Sequence, residues 1–182
     1  GSEGTVAGFA AFGKGVGQAN ANAVQVLGDM RAASLQPMGN TAGRVHATEG
    51  LAAANSFSQA SGGRVDGLQV LLAGNNAVQT QAEQGSTALA NSFQADGALQ
   101  GSAVQVVGNQ GSARGAGRDG LANSVRAQGR GRMAGSNVTV TANQGNAQQG
   151  VANSVDVAGT LQGGSITILG NQASVQGGGQ VN

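Results

Sequence analysis

Residues 164–178 read "GSITILGNQASVQGG": apolar and polar side chains alternate through Ser165, Ile166, Thr167 and Ile168, the run breaks at Gly170-Asn171-Gln172, and alternation resumes through Ala173 and Val175. A period of two turns one face of a short strand inward, and the Gly-Asn step marks a corner. The same phrase recurs up the chain: "LQPMGN" ends at Asn40, "VLLAGN" at Asn75, "VQVVGN" at Asn109, "VTVTAN" at Asn143 and "ITILGN" at Asn171.

A second phrase alternates with the first. It begins at Asn22 ("NAVQVLG"), Asn55 ("NSFSQASG"), Asn91 ("NSFQADG"), Asn123 ("NSVRAQG") and Asn153 ("NSVDVAG"). From the Asn of this phrase to the Asn that ends the next "GN" phrase the spacing is 18, 20, 18, 20 and 18 residues. The two phrases together define about five units of roughly 30–36 residues over residues 21–182, and an internal period of that size signals a solenoid, a propeller or an array. Propeller blades need four strands and carry aromatic signatures, whereas aromatic residues make up 2% of this chain and Trp and Tyr are absent. The expected fold is therefore all-β: a parallel β-solenoid of about five stacked repeats, with two or three short strands in each coil.

Aligning the units predicts which residues stack. One aliphatic column runs through Leu35, Val70, Val104, Val138 and Ile166, and a second through Pro37, Leu72, Val106, Val140 and Ile168. A third contains Val24, Phe57, Phe93, Val125 and Val155, flanked by outward Gln25, Ser58, Gln94, Arg126 and Asp156. The asparagines form two stacking ladders, one of Asn22, Asn55, Asn91, Asn123 and Asn153, the other of Asn40, Asn75, Asn109, Asn143 and Asn171. A buried amide in such a stack donates to one rung and accepts from the other, which satisfies polar groups that are otherwise costly to bury. Pro37 supplies no N–H to a ladder and is expected at an edge. Residues 1–20 do not follow the repeat and are expected to be an N-terminal cap or docking arm, while the regular last unit, through Asn182, is expected to offer an open edge.

Composition supports the stacked reading. Of 182 residues 34 are Gly, and charged residues make up 9%, with a formal net charge of +1. Stacking places like positions directly over one another, so sparse charge avoids repulsion between rungs, and a near-neutral chain has little electrostatic barrier to association. Without Cys there is no disulfide framework or thiolate metal site. No apolar run approaches the ~18 residues of a membrane span, and no charged start followed by an apolar stretch marks a secretory leader.

Catalytic patterns are weak. His46 is the only histidine, and no G-x-S-x-G elbow is present. Gly8–Gly15, "GFAAFGKG", approaches a phosphate-binding loop but has Gly15 where a metal-holding Ser or Thr belongs. The acidic residues are scattered and form no Ca-binding nonapeptide. "LGNQAS" resembles a hexapeptide-repeat acyltransferase, but the six-residue period is not sustained. Asn137-Val138-Thr139 is a formal glycosylation sequon inside an expected strand. No cofactor and no enzymatic activity are expected. One uneven charge feature remains, Arg114, Arg118, Arg126, Arg130 and Arg132, a candidate contact for anionic polysaccharide or extracellular DNA.

These Gly-, Asn- and Gln-rich repeats, with paired asparagines and no Cys, resemble in style the secreted functional-amyloid subunits of bacterial biofilms, of the curli and Fap kind. The curlin spacing Ser-x5-Gln-x-Gly-x2-Asn-x-Ala-x3-Gln is not reproduced, and the unit here is longer. The resemblance implies an extracellular filament subunit that partners itself head to tail, as a homopolymer, through its open coil edges. The alternative is a non-polymerising solenoid from a surface adhesin or, with less support from its few outward Thr, an ice-binding protein.

Overall fold

The structure is a computed structural model. It describes the chain apart from residues 1, 8–9, 16–17, 28, 49–50, 61–63, 84–86, 116–119, 128–132, 158–159, 178–179 and 182. The described chain is a parallel β-solenoid without helix. Five sheets, here A to E in chain order, run the length of the stack, and every strand pairs in parallel with its equivalent one coil away. One coil shows the pattern: Ala103–Val107 lies in sheet A, Gln110–Arg114 in B, Gly120–Ala122 in C, Val125–Ala127 in D and Met133–Ala134 in E.

Five strands per coil replace the two or three expected. Sheets A, B and C have six strands and sheets D and E five, so the rung count also differs slightly from the five expected repeats. The extra rung comes from the start of the chain. Ser2–Ala7 pairs with Ala33–Met38, Ala10–Gly15 with Thr41–Ala47, and Gln18–Ala21 with Leu51–Ala54. The segment expected to be an aperiodic cap or arm thus continues the coil, because a parallel ladder needs only main-chain groups and is indifferent to the repeat phrases. Gly13, Lys14 and Gly15 accordingly belong to a strand and not to a phosphate loop.

The columns form in register. Leu35, Val70, Val104, Val138 and Ile166 are consecutive partners in sheet A. Val24, Phe57, Phe93, Val125 and Val155 are consecutive partners in sheet D. Pro37 is buried in an interior strand, not at an edge. Its strand keeps pairing with Gln69–Ala73 at Ser34, Leu35 and Met38, while the local gap follows from the missing N–H.

The coil interior has two compartments. Aliphatic and aromatic residues of sheets A, D and E fill one, including Leu72, Val106, Phe93, Leu99 and Met133. The other, between sheets B and C, is lined almost entirely by Ala, with Val45 the exception among its buried apolar members. Sheet C is covered on both faces, since Leu89 and Leu121, which point away from the alanine compartment, are fully buried in a small cluster of their own.

Candidate functional site

Corners build the ladders. At the end of each sheet C strand, Asn22, Asn55, Asn91, Asn123 and Asn153 adopt φ between 48° and 53°. Asn tolerates this left-handed region better than other non-Gly residues, which explains why the position is constant in kind. The side chains then stack. Asn22 Nδ2 donates to Asn55 Oδ1 at 3.1 Å, Asn55 to Asn91 at 3.0 Å, Asn91 to Asn123 at 3.0 Å and Asn123 to Asn153 at 3.1 Å. Nδ2 also reaches across to the first carbonyl of each sheet B strand, from Asn55 to Asn76 O, Asn91 to Gln110 O, Asn123 to Gln144 O and Asn153 to Gln172 O, at 2.6–3.1 Å.

The second ladder stands at the corner between sheets A and B. Asn40, Asn75, Asn109 and Asn143 each donate through Nδ2 to the Oδ1 of the next asparagine, ending at Asn171, at 3.0–3.2 Å. Their backbone N–H groups donate to the same oxygens at 2.8–3.0 Å. The remaining Nδ2 hydrogen is taken by a sheet A carbonyl one coil earlier: Asn75 bonds Pro37 O, Asn109 Leu72 O, Asn143 Val106 O and Asn171 Val140 O. In every asparagine-to-asparagine bond the amide donates toward the later coil, so both ladders have one polarity along the stack.

Serines add a ladder that the asparagine pattern overshadowed. Ser92 N–H donates to Ser56 Oγ, Ser124 N–H to Ser92 Oγ and Ser154 N–H to Ser124 Oγ, at 2.9–3.1 Å. The recurring Asn-Ser dipeptide carried the signal. A shorter set links Leu68 N–H to Ser102 Oγ and Ser102 N–H to Ser136 Oγ.

The two described arginines of the expected patch, Arg114 and Arg126, lie on different sheets. Arg114 is exposed on sheet B, whereas Arg126 lies on sheet D, is only 5% exposed and ion-pairs with Asp156 one rung away at 3.2 Å. Arg126, expected outward as part of a polyanion contact, is therefore engaged inside the stack. Ser58, two rungs away in the same column and also expected outward, is likewise buried, while Gln94 between them is half-buried and Asp156 exposed. Arg118, Arg130 and Arg132 lie outside the described residues. His46, on sheet B, pairs with Glu83 at 3.1 Å. Asn137 is exposed at the start of a sheet A strand and accepts a hydrogen bond from Ser165 Oγ at 2.8 Å.

Sheet B carries a trough of about 600 Å³ on its outer face. Equivalent positions of four successive rungs line it. One bank is Asn76, Gln110, Gln144 and Gln172, the other Val78, Ser112, Asn146 and Ser174, over a floor of small residues. Compared with protein-family models, curated proteins and solved structures, the chain shows no match.

Proposed function

We propose that the chain is a structural, non-catalytic subunit of an extracellular filament that grows by end-to-end stacking of coils. One observation carries the reading: the asparagine ladders keep one donor-to-acceptor polarity from coil to coil, so the first coil of a second copy, which carries Asn22, can continue the first ladder without a new kind of contact. The last described coil shows which side chains a further rung covers. Ile166, Ile168 and Leu161 are 38%, 37% and 49% exposed, while their column mates Val138, Val140 and Met133 are at most 1% exposed. A rung from the next subunit would cover them and pair with the open main-chain groups beside them.

Electron microscopy of the purified chain tests this. Filaments are expected, and Thr167→Pro or Ile168→Lys should abolish elongation while circular dichroism keeps its β signal. A persistent monomer, or variants that polymerise like the parent, would overturn axial stacking. A second reading, a surface-binding solenoid of the adhesin kind, is favoured by the polar trough on sheet B, which lies along the side of the stack and not at its end.

A further inference from the structure

The trough owes its shape to a change in strand length. In sheet B, Thr41–Ala47 and Asn76–Ala82 have seven residues, but Gln110–Arg114, Gln144–Gln148 and Gln172–Gln176 have five. The mismatch is resolved by a register shift between Ala77 and Thr80, which leaves Val78 56% exposed at the head of the trough. Bulges of this kind end regular pairing and re-aim side chains, and they concentrate beside functional sites. Beyond the bulge the sheet is regular, and its two banks offer only amides and hydroxyls; among the described residues no charged side chain lines the trough, and the nearest exposed one on this face, Arg114, stands two residues beyond Ser112.

The banks are also held from beneath. The main-chain carbonyls of Gln110, Gln144 and Gln172, whose side chains form one bank, accept hydrogen bonds from Asn91, Asn123 and Asn153 of the first ladder. Beneath the floor the first ladder packs closely: a Cβ on Gly145 would stand 2.6 Å from Asn153 Oδ1, and one on Gly111 would stand 2.5 Å from Asn123 Oδ1. The result is a rigid row of paired donor and acceptor groups, repeated at about 4.7–4.9 Å per rung. Preorganised rows of this kind bind without losing much side-chain freedom.

We infer that this trough binds a linear, neutral, hydroxyl-rich polysaccharide that lies along the solenoid axis. The sugar rings of an extended β-1,4-linked glycan advance by nearly the rung spacing and turn over at each linkage, so each ring meets one amide row and alternate rings present the same edge to it. Each Gln or Asn amide can donate to one sugar hydroxyl and accept from another, and Val78 presents an apolar surface to the C–H face of the terminal ring. One flanking arginine against a neutral lining four rungs long disfavours uronate polymers and DNA. Sheet A is the natural comparison, because its outer face has the same spacing but interrupts its polar rows with partly exposed Leu71 and Val107.

Isothermal titration calorimetry with cello-oligosaccharides of two to six sugars tests the site, with polygalacturonate and a DNA duplex as charged comparators. Affinity is expected to climb with length, to level off at about four sugars, one per rung, and to be insensitive to salt. The double variant Gln144→Ala/Asn146→Ala, at two exposed positions, should lose at least about tenfold in affinity from its missing hydrogen bonds. The sheet A double variant Gln105→Ala/Thr139→Ala should bind like the parent, and both should keep the parent's circular dichroism. No binding of any cello-oligosaccharide, equal binding by the trough variant, or binding confined to the charged polymers and weakened by salt would each overturn the inference. None of these outcomes depends on filament growth, since the trough lies on the side of the stack.

Discussion

The two compartments of a single coil solve the same packing problem in opposite ways. Between sheets A, D and E the interior is wide and is filled by volume, with Phe57 and Phe93 stacked at 5.0 Å and 10° between ring planes. Between sheets B and C it is narrow, and its buried side chains are mostly Ala, with Val45 and Thr80 in one column the larger ones. There the walls come so close that asparagine amides bridge them, from the sheet C corner to the sheet B main chain. One side is held mainly by apolar burial, the other by directional hydrogen bonds at sites with little room for a larger side chain.

The sharpest way to break this comparison is to empty the wide compartment. Phe93 is fully buried, and Phe93→Ala is expected to cost about 3–5 kcal/mol from lost transfer energy and an uncollapsed cavity. Urea unfolding checks it; a cost below about 1 kcal/mol would mean that the compartment is not held by volume.

Next in size is a break in the narrow side. Asn91→Ala removes the acceptor for Asn55 and the donor to Asn123 and Gln110, and it places Ala at a φ of 49°. The expected loss is about 2–4 kcal/mol, from orphaned buried groups and left-handed strain together. Asn91→Gly keeps the ladder defect but relieves the strain, so it should be milder by about 1 kcal/mol. Equal losses in thermal or urea unfolding would show that the corner geometry contributes nothing.

The smallest effect sharpens the contrast at the other corner. Gly39, Gly74, Gly108 and Gly170 precede the second ladder with φ of 62–65°, and Ala142 occupies the same place at 54°. Ala142→Gly should therefore raise stability by about 0.5–1 kcal/mol. A loss instead would mean that the Ala142 methyl makes a contact worth more than the strain it bears.

Much of sheets A and D could be read in the chain, because their strands recur as alternating phrases, those of sheet A ending at Gly-Asn or Ala-Asn corners. The asparagine columns were legible for the same reason: a repeated polar residue at a constant distance from a buried strand needs a partner, and its equivalent in the next coil is the nearest one. Sheet C was not legible. "LAAA", "TALA" and "GLA" are buried on both faces, so they show no alternation to detect. Sheet E strands are two residues long, too short for any period. Arg126 read as an outward charge because an alternating pattern separates the two sides of a strand, but it does not tell whether more chain covers the second side.

The sequence by itself thus determined the repeat, the parallel stack and the identity of the columns, all consequences of local periodicity multiplied by copying. Only the tertiary structure decided how the coil folds around its axis: five walls instead of two or three, two unequal compartments, a first rung hidden in unpatterned residues, and the interior place of Pro37. It also decided that a two-residue lengthening of two sheet B strands would leave Val78 proud at the head of a polar trough. Those features depend on main-chain pairing and on which walls meet. Main-chain groups are the same for nearly every residue, so side-chain pattern leaves no record of them.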